Sequence, residues 1–277
     1  VKFQTITNTR VQPLELNQVE LSEASYGGSL LRLHLTALPG VTLANLDLNP
    51  LRIYLHAEMN PALECFYALV GKQKQIKLMA AEQCIQNSGL EFVPSFFDSD
   101  RPMQQPSAHC HPGFHIMHDY FQAREKFYFI ELHGINVNHF NDETNHFIIE
   151  AHLSGLFPPE MQLTPDLFQF NCVPAINCFL HDAEPVYYDG RKNTYPVIAD
   201  RHKPESLVVH SINQVQAMQD HDNRTMQLEP LTQFQTGTHD KPVYSTFRRT
   251  LGTMHPRLFL NLHHKKFTQA LNLSIST

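Results

Sequence analysis

Leucine and isoleucine recur at every second position in several short stretches: Leu14 and Leu16; Leu31, Leu33 and Leu35; Leu51, Ile53 and Leu55. A two-residue period puts alternate side chains on one face of an extended chain, so each stretch predicts a half-buried β-strand. Tyr26-Gly27-Gly28 supplies a turn between strands over 14–21 and 29–35. A short helical turn is expected over 42–46, ahead of a strand at Leu51–Leu55. With 277 residues and 42% hydrophobic content, the chain has material for one large or two ordinary domains.

Two helices are expected among the strands. Asn60 as N-cap, Pro61 at the first helical position and Gly71 beyond the end predict one over 60–71. The other begins at Pro112 and gathers Ile116, Met117, Tyr120 and Phe121 on one apolar face, which is expected to pack against an aromatic strand over 127–132. Residues 75–79 and 147–153 predict further strands, 87–112 a long surface connection, 136–145 a loop and 164–168 a helical turn. Beyond Glu184-Pro185 the strands shorten: 206–216 and runs within 243–275 read as strands, and 219–242 as an exposed polar loop. The fold class is α+β and strand-dominated, with β-sandwich-like sheets, a few short packed helices and two subdomains, 1–184 and 185–277.

The charge balance excludes several functions. A formal charge of −6 and a pI near 6.3 lack the basic surplus of a nucleic-acid footprint. No apolar run approaches the roughly 20 residues of a membrane span, so direct membrane insertion is not expected. Cysteines 65, 84, 110, 172 and 178 form no CxxC pair and read as free thiols in a reducing compartment, with Cys172 and Cys178 buried in apolar sequence. The sequons at Asn223 and Asn272 are discounted, because Val1-Lys2-Phe3-Gln4-Thr5 opens no signal-peptide core.

His109, Cys110 and His111, followed by His115 and His118, are the best metal candidates, since imidazole and thiolate ligate zinc. Their spacing matches no standard zinc pattern, and the chain has 18 histidines, so a loop leading into a polar helix face is preferred. No cofactor or metal is expected. The chain has no G-x-S-x-G elbow and no glycine-rich phosphate loop, so no catalytic residues are assigned. His263-His264-Lys265-Lys266 and Arg248-Arg249 read as solvated turns or strand edges, with a small patch for an acidic partner as the alternative. Phe96 and Phe97, paired in a polar loop, are the interface candidates.

Several blocks carry a family resemblance when taken in order. They are Val11-Gln12-Pro13-Leu14-Glu15-Leu16-Asn17-Gln18-Val19-Glu20; Leu46-Asp47-Leu48-Asn49-Pro50-Leu51-Arg52-Ile53-Tyr54-Leu55; and Pro112-Gly113-Phe114 through Phe121, with Glu125-Lys126-Phe127-Tyr128-Phe129. Residues 168–179 follow, then Ala183-Glu184-Pro185-Val186, Tyr195 with Asp200-Arg201-His202-Lys203-Pro204, and Ser211-Ile212-Asn213-Gln214-Val215. Their sequence and order resemble TssF, the ImpG/VasA family of bacterial type VI secretion systems. Val173 stands where the family has threonine, Phe114 where it has tyrosine, and His56-Ala57 where it often has glycine.

The resemblance implies a non-enzymatic structural component of the baseplate wedge, with a fold related to wedge proteins of contractile phage tails. It implies two TssF copies joined to one TssG, with TssK attached and six wedges around a VgrG hub, in the cytoplasm beside the inner membrane. It also implies that the sequence, opening at Val1, is an internal fragment without the family's N-terminal helical region and C-terminal part. The competing reading is a metal- or carbohydrate-binding β-domain, motivated by the abundant histidines and by aromatics without tryptophan.

Overall fold

The computed structural model describes residues 2–24, 27–80, 83–85, 89–97, 101–104, 111–141, 143–158, 161–188, 191–192, 194–202, 206–219, 225–233, 242–250, 256–263 and 271–276. Among the described residues strand outweighs helix, 43% against 18%, which makes the fold α+β with the sheets dominant. The chain divides into two compact units, Gln4–Ile176 and Asn177–Thr277 together with Val1–Phe3.

The strands of the first unit, in chain order, are β1 (Gln4–Thr5), β2 (Leu14–Ala24), β3 (Gly28–Ala37), β4 (Leu51–Leu55), β5 (Gln73–Ala80) and β6 (Gln83–Ile85). They continue as β7 (Glu91–Pro94), β8 (Phe129–His133), β9 (His146–Leu153), β10 (Phe168–Gln169) and β11 (Ala175–Ile176), with helices α1 (Met59–Phe66) and α2 (Pro112–Gln122) between them. A five-stranded sheet runs β2-β3-β9-β5-β6 and a four-stranded sheet runs β10-β4-β8-β7, while β1 and β11 form a small pair.

Alternation decides which side of each large sheet is dry. Leu31, Leu33 and Leu35 from β3 and Phe147, Ile149 and Ala151 from β9 enter the same core as Leu51, Ile53 and Leu55 from β4 and Ile130 and Leu132 from β8. The two sheets therefore share one interior, as in a sandwich. Every second position of β3 from Leu31 to Ala37 is buried, as its leucine spacing predicts.

On the outer side of the five-stranded sheet, opposite charges face each other across four strands. Glu20, Arg32, Glu150 and Lys77 occupy directly paired positions on β2, β3, β9 and β5. Arg32 Nε donates to Glu150 Oε2 at 2.8 Å, and His152 Nε2 lies 2.8 Å from Glu150 Oε1. Lys77 Nζ stands 3.8 Å from Glu150, and Arg32 stands 3.8 Å from Glu20. The other sheet repeats the device once: Arg52 on β4 is paired with Glu131 on β8 and donates to it at 2.9 Å, while the Ser95 hydroxyl donates to the same oxygen at 3.0 Å. Such pairs fix register, because a one-residue slip breaks the charge pairing and turns the leucines outward.

Several expectations are corrected. The first helix starts at Met59 with Glu58, not Asn60, at the N-cap, and a π-helical turn over Tyr67–Gly71 takes up the rest of the expected 60–71 span. The connection over 87–112 contains β7, which pairs with β8. Residues 124–128 form a 3₁₀ turn, so the aromatic strand begins at Phe129. The loop over 136–145 holds a 3₁₀ turn at Val137–His139, closed by a capping box between Asn136 and His139.

The second unit carries a seven-stranded sheet. In chain order its strands are β12 (Val186–Tyr188), β13 (Thr194–Pro196), β14 (Gln214–Gln219), β15 (Thr225–Pro230), β16 (Val243–Arg249), β17 (Arg257–His263) and β18 (Leu271–Ser276), arranged β12-β18-β14-β15-β16-β17-β13. Its core is small: Val197, Val215, Leu228, Tyr244, Leu260 and Ile275 are among its buried members. Strand β15 lies inside the span expected to be a polar loop, because only Leu228 in it is buried and alternation has nothing else to mark. The strand expected over 206–216 begins only at Gln214; before it, the Val209 and His210 carbonyls accept from the Arg248 guanidinium instead of a neighbouring strand.

Burial pushes the carboxyls of Glu131 and Glu150 up, but this is outweighed at Glu131 by Arg52, Ser95 and His133 and at Glu150 by Arg32 and His152, so both lie below the ordinary value. A depressed folded-state pKa gives stability that is complete above the unfolded value and is lost as pH falls through the folded one. In urea unfolding, stability should hold at neutral pH and decline once pH drops below about 4.3, the ordinary glutamate value. Glu150→Gln should start lower at pH 7 and show a shallower acid decline.

Candidate protein interface

Helix α2 is built inside out. His111 caps its start, with Nδ1 accepting from the Gly113 N–H at 3.1 Å, and Pro112 takes the first helical position. Along the helix Asp119 is buried, whereas Phe114, Met117, Tyr120 and Phe121 are exposed, Phe121 by 72%. The expectation that the apolar face packs on the following strand is therefore corrected.

The reason is a buried ion pair. Lys126 in the following 3₁₀ turn donates to Asp119 Oδ2 at 2.6 Å, and both side chains are only 2% exposed. The same aspartate oxygen accepts the Met103 N–H at 2.9 Å, and the ammonium also donates to the Arg101 carbonyl at 2.6 Å. Charged groups out of water need such partners, and these are satisfied only when the Asp119 side of the helix faces inward. The opposite side, with its aromatics, is then turned to solvent.

Ring contacts link the exposed residues of α2, through the buried Phe127, to Phe97 and to α1. Phe121 meets Tyr120 at 5.6 Å between ring centroids, Tyr120 lies 6.0 Å from Phe127, Phe127 meets Phe97 edge-on at 5.0 Å, and Phe97 stacks on Phe66 of α1 at 5.9 Å. From α1 and its π-helical turn, Met59, Leu63 and Tyr67 add exposed side chains four residues apart. The Arg124 guanidinium, in the 3₁₀ turn after α2, donates to the Met59 sulfur of α1 at 2.8 Å. Exposed apolar side chains clustered in this way mark contact sites for other proteins.

Phe96 and Phe97 take opposite fates. Phe96 has φ +62°, a left-handed conformation unfavourable for an aromatic residue, and is 1% exposed. Its ring meets Phe129 edge-on at 5.2 Å and lies beneath the Arg52 guanidinium, 4.7 Å from the centroid. Phe97, 43% exposed, sits within the aromatic face.

The histidine candidates do not converge within the described residues. His109 and Cys110 lie outside them. His111 is occupied in capping α2, His115 is half-buried on the helix, and His118 is exposed with Nδ1 3.7 Å from Asp119 Oδ1. Among the described residues no group of three or more His, Cys, Asp or Glu side chains is arranged to hold a metal. Cys172 and Cys178 are half-buried rather than buried, and burial raises the Cys172 thiol pKa. Cys65 is the buried thiol and Cys84 an exposed one. Of the basic residues noted in the sequence, Arg248 is tied to the 209–210 backbone and His263 Nε2 lies 2.7 Å from the Ser245 hydroxyl, while 264–266 lie outside the described residues.

The fold is one already seen in a chain solved within a larger complex. It superposes, with a TM-score of 0.82 at 23% identity, on a chain of the TssK-TssF-TssG baseplate subcomplex of a type VI secretion system solved by cryo-electron microscopy, covering 99% of this chain and 52% of that one. A family model described as "Type VI secretion system, TssF" matches residues 1–274, and the chain belongs to that family. It is also 26% identical over 195 residues to type VI secretion system component TssF1 of Pseudomonas aeruginosa strain PAO1, an alignment that takes in 67% of this chain and 30% of that protein. The chain thus spans under a third of that relative and about half of the matched structure.

Removing one member of the buried pair leaves the other charged and unpartnered. Lys126→Met should therefore cost about 3–5 kcal/mol in urea unfolding, whereas the double variant Asp119→Leu/Lys126→Met should recover most of that loss.

Proposed function

We propose that this chain is a structural component of the type VI secretion baseplate wedge, scaffolding assembly of the contractile tail by holding partners in fixed geometry without a catalytic step. The single observation that carries this reading, beside family membership, is the outward aromatic face of α2, α1 and Phe97. A helix with its polar side buried and its apolar side solvated is suited to work that is completed by another surface.

The named subunits of the matched subcomplex supply the partners: TssG and TssK, with a second copy of the chain, the VgrG hub and other baseplate proteins further out. Phe97, Phe114, Met117 and Phe121 are the anchors. Membership of the TssF family supports a place in the cytoplasm beside the inner-membrane-docked apparatus; among the described residues no helix is long and apolar enough to cross a membrane.

The test is co-purification of the full-length protein with TssG and TssK at moderate salt. The wild-type protein should bring down a stable complex. Phe114→Ser/Met117→Ser/Phe121→Ser should lose it while changing unfolding stability by no more than about 0.5 kcal/mol per site, as exposed substitutions do. A triple variant that assembles normally would remove α2 from the interface.

A further inference from the structure

Strand β2 ends the five-stranded sheet, and among the described residues no strand pairs with it on the side away from β3. Beyond a register shift between Leu16 and Gln18, it pairs regularly with β3 from Gln18 to Ala24. An antiparallel strand bonded on one side only directs about half of its N–H and C=O groups outward, which is a template for one more strand.

The side chains along this edge are incompletely covered as well. Val19 and Leu21 face the core side, opposite Leu33 and Leu31, each 1% exposed; Leu21 itself is 38% exposed. An added strand with apolar residues at alternate positions would lengthen the dry layer over Leu21. On the outer side stand Glu15, which is exposed, and Glu20, 3.8 Å from Arg32 of β3, while Glu23, opposite Ser29, is exposed at the end of the other face; no lysine or arginine occurs between Leu14 and Ala24.

We infer that the β2 edge accepts an extended segment of a partner protein, alternating apolar and basic residues, as a sixth strand of the sheet. Main-chain bonds supply the pairing, the apolar positions cover Val19 and Leu21, and the basic positions meet Glu15 and Glu20. Charge selects this occupant over a second copy of the chain. Two β2 edges brought together would add Glu15 and Glu20 of one strand to those of the other, and the one arginine near them, Arg32, already donates to Glu150; like charges brought together destabilise a strand pair. This inference rests on the edge and its charge, not on the baseplate reading.

The test is hydrogen–deuterium exchange of the full-length protein alone, with an alternating valine–lysine peptide of about seven residues, an ordinary strand length, and with its valine–glutamate counterpart. The lysine peptide should slow exchange of β2 amides by about tenfold or more, and the glutamate peptide should not. Glu15→Lys/Gln18→Lys, both exposed on the outer side, should reverse that preference while leaving exchange in β3 and β9 unchanged. The inference is overturned if neither peptide protects β2, if both protect it equally, or if the peptide-free protein already shows β2 fully protected, which would assign the edge to another part of its own chain. Protection that grows with protein concentration, alongside dimer formation in sedimentation, would assign it instead to a second copy.

Discussion

Two opposite charges taken out of water together decide how this molecule presents itself. Once Asp119 and Lys126 are buried, each needs the other, and the Met103 N–H and Arg101 carbonyl complete the site. Burying an ion pair is a weak source of net stability, but a misplaced one is costly, so its effect is to forbid alternatives. The forbidden alternative here is the helix orientation that the hydrophobic effect alone would select, with Phe114, Met117 and Phe121 packed inward. The aromatic face therefore exists because an electrostatic constraint outranks an apolar one at a single helix.

Much of the framework was legible because strand alternation is a strong local signal. Leu31, Leu33 and Leu35, and likewise Leu51, Ile53 and Leu55, lie in strands whose alternate residues are buried as their spacing requires. Where a strand carries little apolar content the signal fails: Glu91–Pro94 has Phe92 as its only buried residue, and Thr225–Pro230 has Leu228. Both owe their place to neighbouring strands, which no local pattern records.

The candidate interface was half legible. Periodicity identified the residues of α2 that share a face but not the direction of that face, since 3.6-residue spacing carries no sign. The available cue was chemical: a lone aspartate in an otherwise uncharged helix, with a lysine seven residues on at the start of an aromatic run. Phe96 and Phe97 show a similar limit. Adjacent aromatics in a polar loop look equivalent, and only the left-handed backbone at Phe96 separates an inward ring from an outward one.

The row formed by Glu20, Arg32, Glu150 and Lys77 has a consequence at a distance. Two negative and two positive charges alternating in a line sum to zero, and the field of such a line fades far faster than that of a single ion. At physiological salt, where screening acts within roughly 8 Å, this row is electrically quiet to anything approaching it. A charged protein drifting past would sense the uncompensated rim of the sheet before its broad face, and would be turned before it touched.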